Sequence, residues 1–287
     1  MANNITIGIT GADGFIGRKL SLVLERRGFE LIKYDLNNFD IRKEVALSDK
    51  IDVLYHLAAI NKPYFSKTNP AETFRTNVLG TINLLEAIKK SNVKKIIFTS
   101  SILIYKDLTK TKETDPVGYN GIYPYGLEKL IGEEYIKLYS DLFGISYVIF
   151  RISGVYGPGM YKNPVFDIIQ GFLNNKIKLY VAKNSIYNFI YIDDVIGTLT
   201  KSLAWKNETL NLCSGENVKL VDLIDFLSNK FKKKPEIKDV DLLIKILGDN
   251  NKIKNKDWEI KYPLKKGLLN TYEYFRTQRK KRVVQSL

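Results

Sequence analysis

Residues 5–17 read ITIGITGADGFIG and join a strand pattern to a helix pattern through a glycine-rich turn. The apolar run from Ile5 to Thr10 predicts a buried strand, and Phe15 to Arg27 predicts an amphipathic helix. Glycines at such a junction allow a tight turn, a close approach of the backbone to a pyrophosphate, and packing of helix on strand. The free N–H groups of the helix N-terminus favour phosphate. The stretch therefore predicts dinucleotide binding, with a plain tight turn as the alternative; the expected contacts are Gly11, Gly14, Phe15, Ile16 and Gly17.

The same alternation of strands and helices continues through the first half of the chain. Strand runs that are apolar on both faces and separated by helices are typical of a parallel sheet covered on both sides. The sequence therefore predicts an α/β fold with a doubly wound parallel sheet. The predicted strands are Glu30 to Tyr34, Ile51 to His56, Lys95 to Thr99 and Ser146 to Arg151, and the helices are 70–90 and Pro124 to Leu142.

The sequence also predicts how the helix over 70–90 begins and which elements follow Gly154. Asn69, Pro70 and Glu72 predict that the helix over 70–90 starts with a capping box. Beyond Gly154 the pattern loosens, because turn residues interrupt it. The later predictions are strands at 189–192 and 209–212, and helices at 194–204, at 220–231 and after Pro263.

The composition narrows the class of protein. The net charge is +14, which is compatible with a solvated lysine-rich surface or with anionic ligands. No zinc knuckle, helix-turn-helix or RNP-type motif accompanies the charge, and no apolar stretch reaches membrane-helix length, so neither nucleic acid nor a membrane is an expected partner. Cys213 and His56 are the only residues of their types, which argues against a disulfide, a resident metal and a histidine triad. Without signal-peptide features at the start, we expect a cytoplasmic protein.

An acidic residue follows the second predicted strand. Asp35 lies 18 residues after Gly17, where a carboxylate accepts hydrogen bonds from an adenosine ribose 2′-OH and repels a 2′-phosphate. No arginine follows at Leu36 or Asn37. The sequence thus favours NAD over NADP, the alternative being a solvated turn aspartate.

Tyr125 and Lys129 are four residues apart and lie on one face of a predicted helix. A nearby ammonium stabilises phenolate, which lowers a tyrosine pKa from about 10 and allows acid–base work near neutrality. Tyr262 and Lys266 have the same spacing, but they follow the sheet pattern and enclose Pro263. Spacing alone does not separate the two pairs; the preceding strand–helix context favours the first.

Several motifs in one order, spread from residue 5 to about 270, resemble the extended short-chain dehydrogenase/reductase family, which includes NAD-dependent sugar-nucleotide epimerases and dehydratases. The N-terminal motifs are Thr10-Gly11-x-x-Gly14-x-x-Gly17, Asp40-Ile41-Arg42, His56-Leu57-Ala58-Ala59, Thr76-Asn77-Val78-x-Gly80-Thr81, Thr99-Ser100-Ser101 and Pro124-Tyr125-Gly126-x-x-Lys129. The later ones are Val155-Tyr156-Gly157-Pro158-Gly159, Tyr191-Ile192-Asp193-Asp194-Val195 and Asn211-Leu212-Cys213-Ser214-Gly215.

The resemblance implies roles for individual residues. Tyr125 would be the catalytic acid/base, Lys129 would bind the nicotinamide ribose, and Ser101 would hydrogen-bond the substrate oxygen. For Ser101, a local cap at a strand end is the alternative. His56 and Cys213 would have no catalytic part. The further cofactor contacts would be Asp40 and Ile41 at the adenine, Leu57, Ala58 and Ala59 as an apolar wall, and Asn77 and Ser153.

The resemblance also implies a fold and an assembly. Residues 1–154 with about 188–212 would form an NAD-binding Rossmann domain, and about 155–187 with 213–287 would form a smaller α+β substrate-binding domain. The helices near 70–90 and 124–142 would pair with their symmetry mates in a homodimer.

Departures from the family pattern narrow the implied reaction. Ile102 and Leu103 stand where the 4,6-dehydratases carry an acidic pair, and no glutamate stands where the decarboxylases use one. The 3,5-epimerase/reductases need a Cys and a His in the site, whereas Cys213 and His56 lie at other motifs. The reactions that remain are NAD-dependent 4-epimerisation of a sugar nucleotide and NAD(P)-dependent ketoreduction or dehydrogenation of a nucleotide-linked deoxysugar. A non-catalytic dinucleotide sensor or scaffold is the alternative of another class. Gly154 and Tyr187 replace the Asn and Arg that usually contact the substrate diphosphate.

Overall fold

The computed structural model describes residues 5–174, 178–233, 235–240 and 243–285. The chain divides into two compact units: the first comprises 1–152 and 196–211, and the second 153–195 and 212–287. The strands are β1 Thr6–Thr10, β2 Glu30–Tyr34, β3 Val53–His56, β4 Lys95–Ser101, β5 Ser146–Ile152, β6 Gly154–Tyr156, β7 Lys178–Val181, β8 Ile186–Tyr191, β9 Glu208–Leu212, β10 Asn217–Lys219, β11 Glu236–Asp239 and β12 Lys245–Ile246. The helices are α1 Phe15–Arg26, α2 Pro63–Thr68, α3 Pro70–Phe74, α4 Gly80–Lys89, α5 Pro124–Phe143, α6 Pro164–Leu173, α7 Ile192–Lys201, α8 Leu220–Phe231, α9 Asn251–Lys254 and α10 Leu264–Gln285.

The first unit is built on a six-stranded sheet in the order β2-β1-β3-β4-β5-β9. The pairs β1–β2, β1–β3, β3–β4 and β4–β5 are all parallel. Every residue of β3 and β4 is buried, as expected for strands covered on both faces. The strand order reverses beside β1, so the carboxyl ends of β1 and β3 border the crevice where such sheets bind ligands. The predicted doubly wound α/β fold is confirmed.

The helical segment over residues 70–90 differs from the prediction. It consists of α3, a π-helical turn at Arg75–Leu79, and α4. The predicted capping box is wrong, because the Asn69 side chain makes no cap bond and its amide donates to the Thr68 hydroxyl at 2.9 Å. Asn69 also ends the unpredicted helix α2, where its N–H donates to Phe65 O at 2.8 Å. The Asn69 N–H, which Glu72 would bind in a capping box, is therefore already used by α2.

The second unit has its own sheet around β8. Strands β6 and β12 pair with β8 in parallel and β10 pairs with it antiparallel, while β7 and β11 form a separate parallel pair. The predicted strand near 189–192 is therefore β8, which begins earlier at Ile186, and the helix predicted after Pro263 is α10. The predicted functional division of the two domains stays a prediction. Within the described ranges, no helix has the length and apolar character needed to cross a bilayer.

Candidate active site

The glycine-rich turn between β1 and α1 has the backbone that its sequence indicates. Gly11 has a φ of +68°, and a Cβ there would lie 2.9 Å from the backbone of Ala58. A Cβ at Gly17 would collide with the Gly11 carbonyl oxygen. Helix α1 starts from Gly14, which has no side chain to cap it, so its first N–H groups have no capping side chain among the described residues. The turn leaves a positive helix end with an unobstructed backbone, which is a general anion-binding arrangement.

Asp35 lies directly after β2 and beside this turn. Its Oδ1 accepts the Asp13 N–H at 2.7 Å, and its own N–H donates to Asn38 Oδ1 at 2.7 Å. The Oδ2 atom makes no hydrogen bond with the described residues. The carboxylate is thus fixed by one oxygen and offers the other, which fits a ribose 2′-OH.

We expect the protein to prefer NAD over NADP by at least about tenfold in affinity, because Asp35 repels a 2′-phosphate and gains a ribose hydrogen bond. Asp35→Asn keeps an oxygen for the Asp13 N–H but removes the charge, so the preference should fall to within about threefold. Asp13→Asn removes a charge from the same turn and should leave the preference intact. Calorimetric titration of each variant with both cofactors checks this; equal wild-type affinities would contradict it.

Helix α5 carries Tyr125 and Lys129 on its buried face, with 5% and 2% of their surfaces exposed. The Tyr125 N–H donates to the Ser66 hydroxyl at 3.0 Å, so α2 holds the first turn of α5. A Cβ at Gly126 would collide with the carbonyl oxygen of Leu103. Only a glycine lets the helix approach the chain this closely, which explains Gly126 within the motif.

Ser101 ends β4 and reaches the same segment from the other side. Its hydroxyl oxygen accepts the Leu103 N–H at 3.2 Å and caps the short 3₁₀ turn over 102–104. The Asn120 amide donates to Leu103 O at 2.6 Å, while its oxygen accepts the Ile122 N–H at 3.0 Å. The backbone of Leu103 therefore joins Ser101, the loop before α5, and the first turn of α5. The capping bond uses Ser101 as an acceptor, so its own proton remains available for an oxygen of a ligand.

The Lys129 ammonium is a buried positive charge in this site. It lies 4.6 Å from the centre of the Phe98 ring and 5.9 Å from that of Tyr125. Burial lowers the pKa of Lys129 to about 8, and the negative charges of Glu128 and Glu133 oppose that effect. The ammonium makes no hydrogen bond with the described residues, so its three donors can serve a ligand.

Asn77 lies in the middle of the π-helical turn and is buried. Its Oδ1 accepts the Ile60 N–H at 2.8 Å, and its amide donates to Glu128 Oε2 at 2.7 Å. The hydroxyl of Thr73 donates to Glu128 Oε1 at 2.5 Å. The segment after β3, which includes the half-buried Leu57, Ala58 and Ala59, is thereby attached to α5 through Asn77 and Glu128.

His56 at the end of β3 is fully enclosed. Thr81 donates its proton to Asn77 O at 2.7 Å, so its oxygen accepts from His56 Nε2 at 3.0 Å. The Nδ1 atom then accepts from the Thr10 hydroxyl at 2.9 Å. Burial and the Lys129 charge lower the pKa of His56 to about 3, so the ring stays neutral. Both nitrogens are occupied, and the geometry supports a structural role.

Asp40 and Ile41, which are predicted to contact the adenine, have different surroundings. Arg42 donates to both carboxylate oxygens of Asp40 at 2.8 Å, which lowers the pKa of Asp40. The side chain of Ile41 is buried and would lie 2.8 Å from a Cβ at Gly80. Asp40 therefore faces its own arginine, and Ile41 packs on the start of α4.

The remaining candidate residues belong to the second unit. Ser153 is buried, and its hydroxyl oxygen has no hydrogen-bond partner among the described residues. Gly154 is exposed, and a Cβ there would lie 2.8 Å from the Phe189 ring, which itself stacks on Tyr187 at 5.6 Å. The Phe189 ring therefore leaves little room for a side chain at position 154.

The control pair Tyr262 and Lys266 has the geometry of the first pair but other surroundings. The Lys266 ammonium lies 5.0 Å from the centre of the Tyr262 ring, and Lys266 is exposed. The Tyr262 N–H donates to Asp194 at 3.2 Å. Burial of the ammonium, rather than its distance from the ring, distinguishes Lys129.

Three residues of the site went unnoticed in the sequence. Ser66, Asn120 and Glu128 act through partners 59, 17 and 51 to 55 positions away. No local pattern reports such distant contacts. Of the three, only Glu128 could have been suspected from the sequence. It lies on the face of a helix that is predicted to be buried, where a carboxylate without a partner is rare.

Comparison with known proteins identifies the family. The model of the NAD dependent epimerase/dehydratase family matches residues 7–213. A putative UDP-glucose 4-epimerase of Methanocaldococcus jannaschii is 33% identical over 209 residues, which are 70% of this chain and 68% of the relative. A UDP-glucuronate 4-epimerase of Thermodesulfobacterium geofontis is 27% identical over 89% of this chain and 82% of its own.

Solved structures agree with the sequence relatives. The UDP-glucose 4-epimerase of Thermotoga maritima, solved with UDP-glucose, superposes with a TM-score of 0.86 at 25% identity, covering 96% of this chain and 100% of that one. The UDP-glucuronic acid 4-epimerase of Bacillus cereus, solved with NAD, has a TM-score of 0.83 at 26% identity, with coverage of 96% and 100%. The chain belongs to the NAD-dependent epimerase/dehydratase family of enzymes.

Proposed function

We propose that this enzyme is an NAD-dependent 4-epimerase of a nucleotide-linked hexose, acting by transient hydride transfer. The observation that carries the proposal is the junction at Leu103, which joins Ser101 to the helix of Tyr125 and Lys129. The relatives named above are UDP-sugar 4-epimerases, which supports a UDP-hexose as substrate. A sensor or scaffold would not need a buried ammonium beside a phenol, because burying a charge is costly.

The proposed cofactor site consists of the glycine turn and the edge of the sheet. Gly11, Gly14 and Gly17 leave room for a pyrophosphate at the N–H groups of Phe15 and Ile16, and Asp35 offers Oδ2 to the adenosine ribose. Lys129 would donate to the nicotinamide ribose, while Asn77 and Leu57 to Ala59 would border the cofactor. Ser153 offers a hydroxyl without a described partner. Asp40 and Ile41 would meet the adenine.

The chemistry of the side chains follows from their placement. Bound NAD would supply a hydride acceptor and donor at C4, and return of the hydride to the opposite face would invert that carbon. Tyr125 takes the proton of the C4 hydroxyl and later gives it back to the same oxygen. Lys129 favours the phenolate by its charge, so the phenol can act as a base. Ser101 donates a hydrogen bond to the C4 oxygen while it accepts from Leu103.

Incubation of the purified protein with UDP-glucose or UDP-glucuronate tests this function. Proton NMR should show the C4 epimer accumulating to a fixed ratio, without any net change of NADH absorbance. Stoichiometric consumption of NADH with a 4-keto sugar nucleotide, and no epimer from any tested sugar, would assign a ketoreductase instead.

We also propose a homodimer through helix α5. Leu127, Tyr135, Leu138 and Leu142 lie on one side of the helix, opposite its buried face, and are 38% to 63% exposed. Leu79, at the end of the π turn, is 42% exposed. An exposed apolar stripe of this kind suits a two-fold contact with a second copy.

The single cysteine supports a reducing compartment such as the cytoplasm.

Light scattering at micromolar concentration should give about 66 kDa, twice the chain mass of 33.0 kDa. Leu138→Asp places a charge in the middle of the stripe and should yield the monomer. Leu22→Asp is a matched control, because Leu22 of α1 is 46% exposed and Leu138 is 47% exposed. A monomeric wild type, or equal behaviour of both variants, would rule out this interface.

A further inference from the structure

Glu128 is a buried carboxylate that the proposed mechanism does not use. It is 5% exposed and lies next to Lys129 on α5. Both of its hydrogen-bond partners are neutral donors, the hydroxyl of Thr73 at 2.5 Å and the amide of Asn77 at 2.7 Å. Two donors on two different oxygens are the pattern that an ionised carboxylate accepts. Burying an ionised carboxylate costs free energy, which indicates that Glu128 has a role that offsets this cost.

Glu133, the other carboxylate near Lys129, differs from Glu128 in its partner. Arg151 donates to it from Nε and Nη2, in a salt bridge of 2.9 Å between residues that are almost fully buried. The charge of Glu133 is therefore compensated by a guanidinium. Glu128 forms no salt bridge with the described residues, so its charge acts on Lys129 without a compensating cation.

The hydrogen bonds of Glu128 also reach the proposed cofactor site. Asn77 is held by Glu128 on one side and holds the Ile60 N–H on the other. The π-helical turn places Asn77 at this position between α3 and α4. Such π-helical turns within helices often occur at functional sites. Without Glu128, Asn77 would keep its hydrogen bonds to Ile60 but would lose the one that attaches it to α5.

We propose that Glu128 is a positioning residue for NAD, which holds Asn77, and through Asn77 the backbone of Ile60, by hydrogen bonds and which places a negative charge near the Lys129 ammonium. The inference rests on the proposed cofactor site but not on the identity of the sugar substrate. Among the described residues, the titratable groups near Lys129 also include Tyr125 and Glu133 on α5 and His56 on β3. The ring of His56 stays neutral, and Glu133 is paired with Arg151.

The test measures NADH affinity by fluorescence over pH 6 to 10 and needs no substrate. In the wild type, affinity should fall as pH rises past about 8, where Lys129 loses its proton. Glu128→Gln should weaken NADH binding about tenfold at pH 7, because one of its two donors loses its acceptor. It should also shift the fall in affinity to lower pH by about one unit, since the ammonium loses its uncompensated counter-charge.

Two further variants separate positioning from charge. Thr73→Val removes one donor and keeps the carboxylate. NADH affinity should therefore fall severalfold, while the pH at which the affinity begins to fall should stay unchanged. Glu134→Gln removes a solvent-facing carboxylate of α5 that pairs with Lys137, and it should change neither quantity.

An unshifted pH of decline in Glu128→Gln would overturn the electrostatic part of the proposal, and wild-type affinity in Thr73→Val would overturn the positioning part. If Glu128→Gln does not fold, Thr73→Val decides the positioning part, and a wild-type NADH affinity that does not fall between pH 7 and pH 10 overturns the electrostatic part. Failure of the epimerase assay with these shifts intact would reject the substrate proposal and leave the role of Glu128 standing.

Discussion

Tyr125→Phe is expected to lower the turnover of the epimerase by a factor on the order of a hundred or more, the usual effect of removing a positioned acid/base. The ring is 5% exposed and its helix is held by Ser66 and by the Gly126–Leu103 contact, so only the hydroxyl is lost. NAD affinity and the unfolding temperature should therefore stay close to wild type. Turnover is measured by NMR of the epimer, and NADH affinity by fluorescence.

Tyr262→Phe is the matched control for this variant. It belongs to a tyrosine–lysine pair with the same spacing and a ring–ammonium distance of 5.0 Å, but its lysine is exposed. We expect near wild-type turnover. Equal turnover of Tyr125→Phe and wild type on a verified substrate would show that another group moves the proton.

Lys129→Met is expected to reduce turnover by a similar factor, on the order of a hundred, while making the folded protein more stable. Burial lowers the pKa of Lys129 from 10.5 to about 8, which corresponds to roughly 3 kcal/mol against the ammonium relative to a neutral group. Methionine fills the same space beside Phe98 without that cost. NADH affinity should also fall, because the proposed ribose contact is lost. Lys266→Met, at an exposed site, should change none of these quantities.

The stability change has a defined pH dependence. Between pH 8 and 10.5 the unfolded wild type binds more protons at this position than the folded protein does, so wild-type stability gains a rising contribution across that window. Lys129→Met lacks this contribution, and its advantage should shrink as pH increases. Urea denaturation at pH 7 and pH 10 measures both. A variant that is less stable than wild type at pH 7 would show that the ammonium supports the fold.

The sequence predicted the first unit well because its signals are local. The glycine turn, the buried strand runs and the long helix from Pro124 each depend on neighbours in the chain, and the parallel sheet follows from them. The second unit was predicted less completely. Its strands β7, β10 and β12 are two to four residues long and pair with distant partners, so no period could reveal them.

Within the site, long-range contacts limited what could be predicted from the sequence. The capping box at Asn69 failed because helix α2 ends at the same residue, and α2 was not predicted. The alternatives for Ser101, a cap or a catalytic hydroxyl, are compatible with each other, since the cap bond uses only its oxygen. Glu128 could not be assigned, because its role depends on Thr73 and Asn77 of another helical segment.

Transfer of deuterium from a sugar labelled at C4 tests the central claim most directly. UDP-glucose or UDP-glucuronate carrying deuterium at C4 is incubated with the enzyme in ordinary water, and the product is examined by NMR and mass spectrometry. Transient hydride transfer predicts that the C4 epimer retains the deuterium at C4, because the same hydride returns to the same carbon. A C4 epimer that has exchanged its deuterium for solvent hydrogen would contradict the account, since a proton rather than a hydride would then have left the carbon.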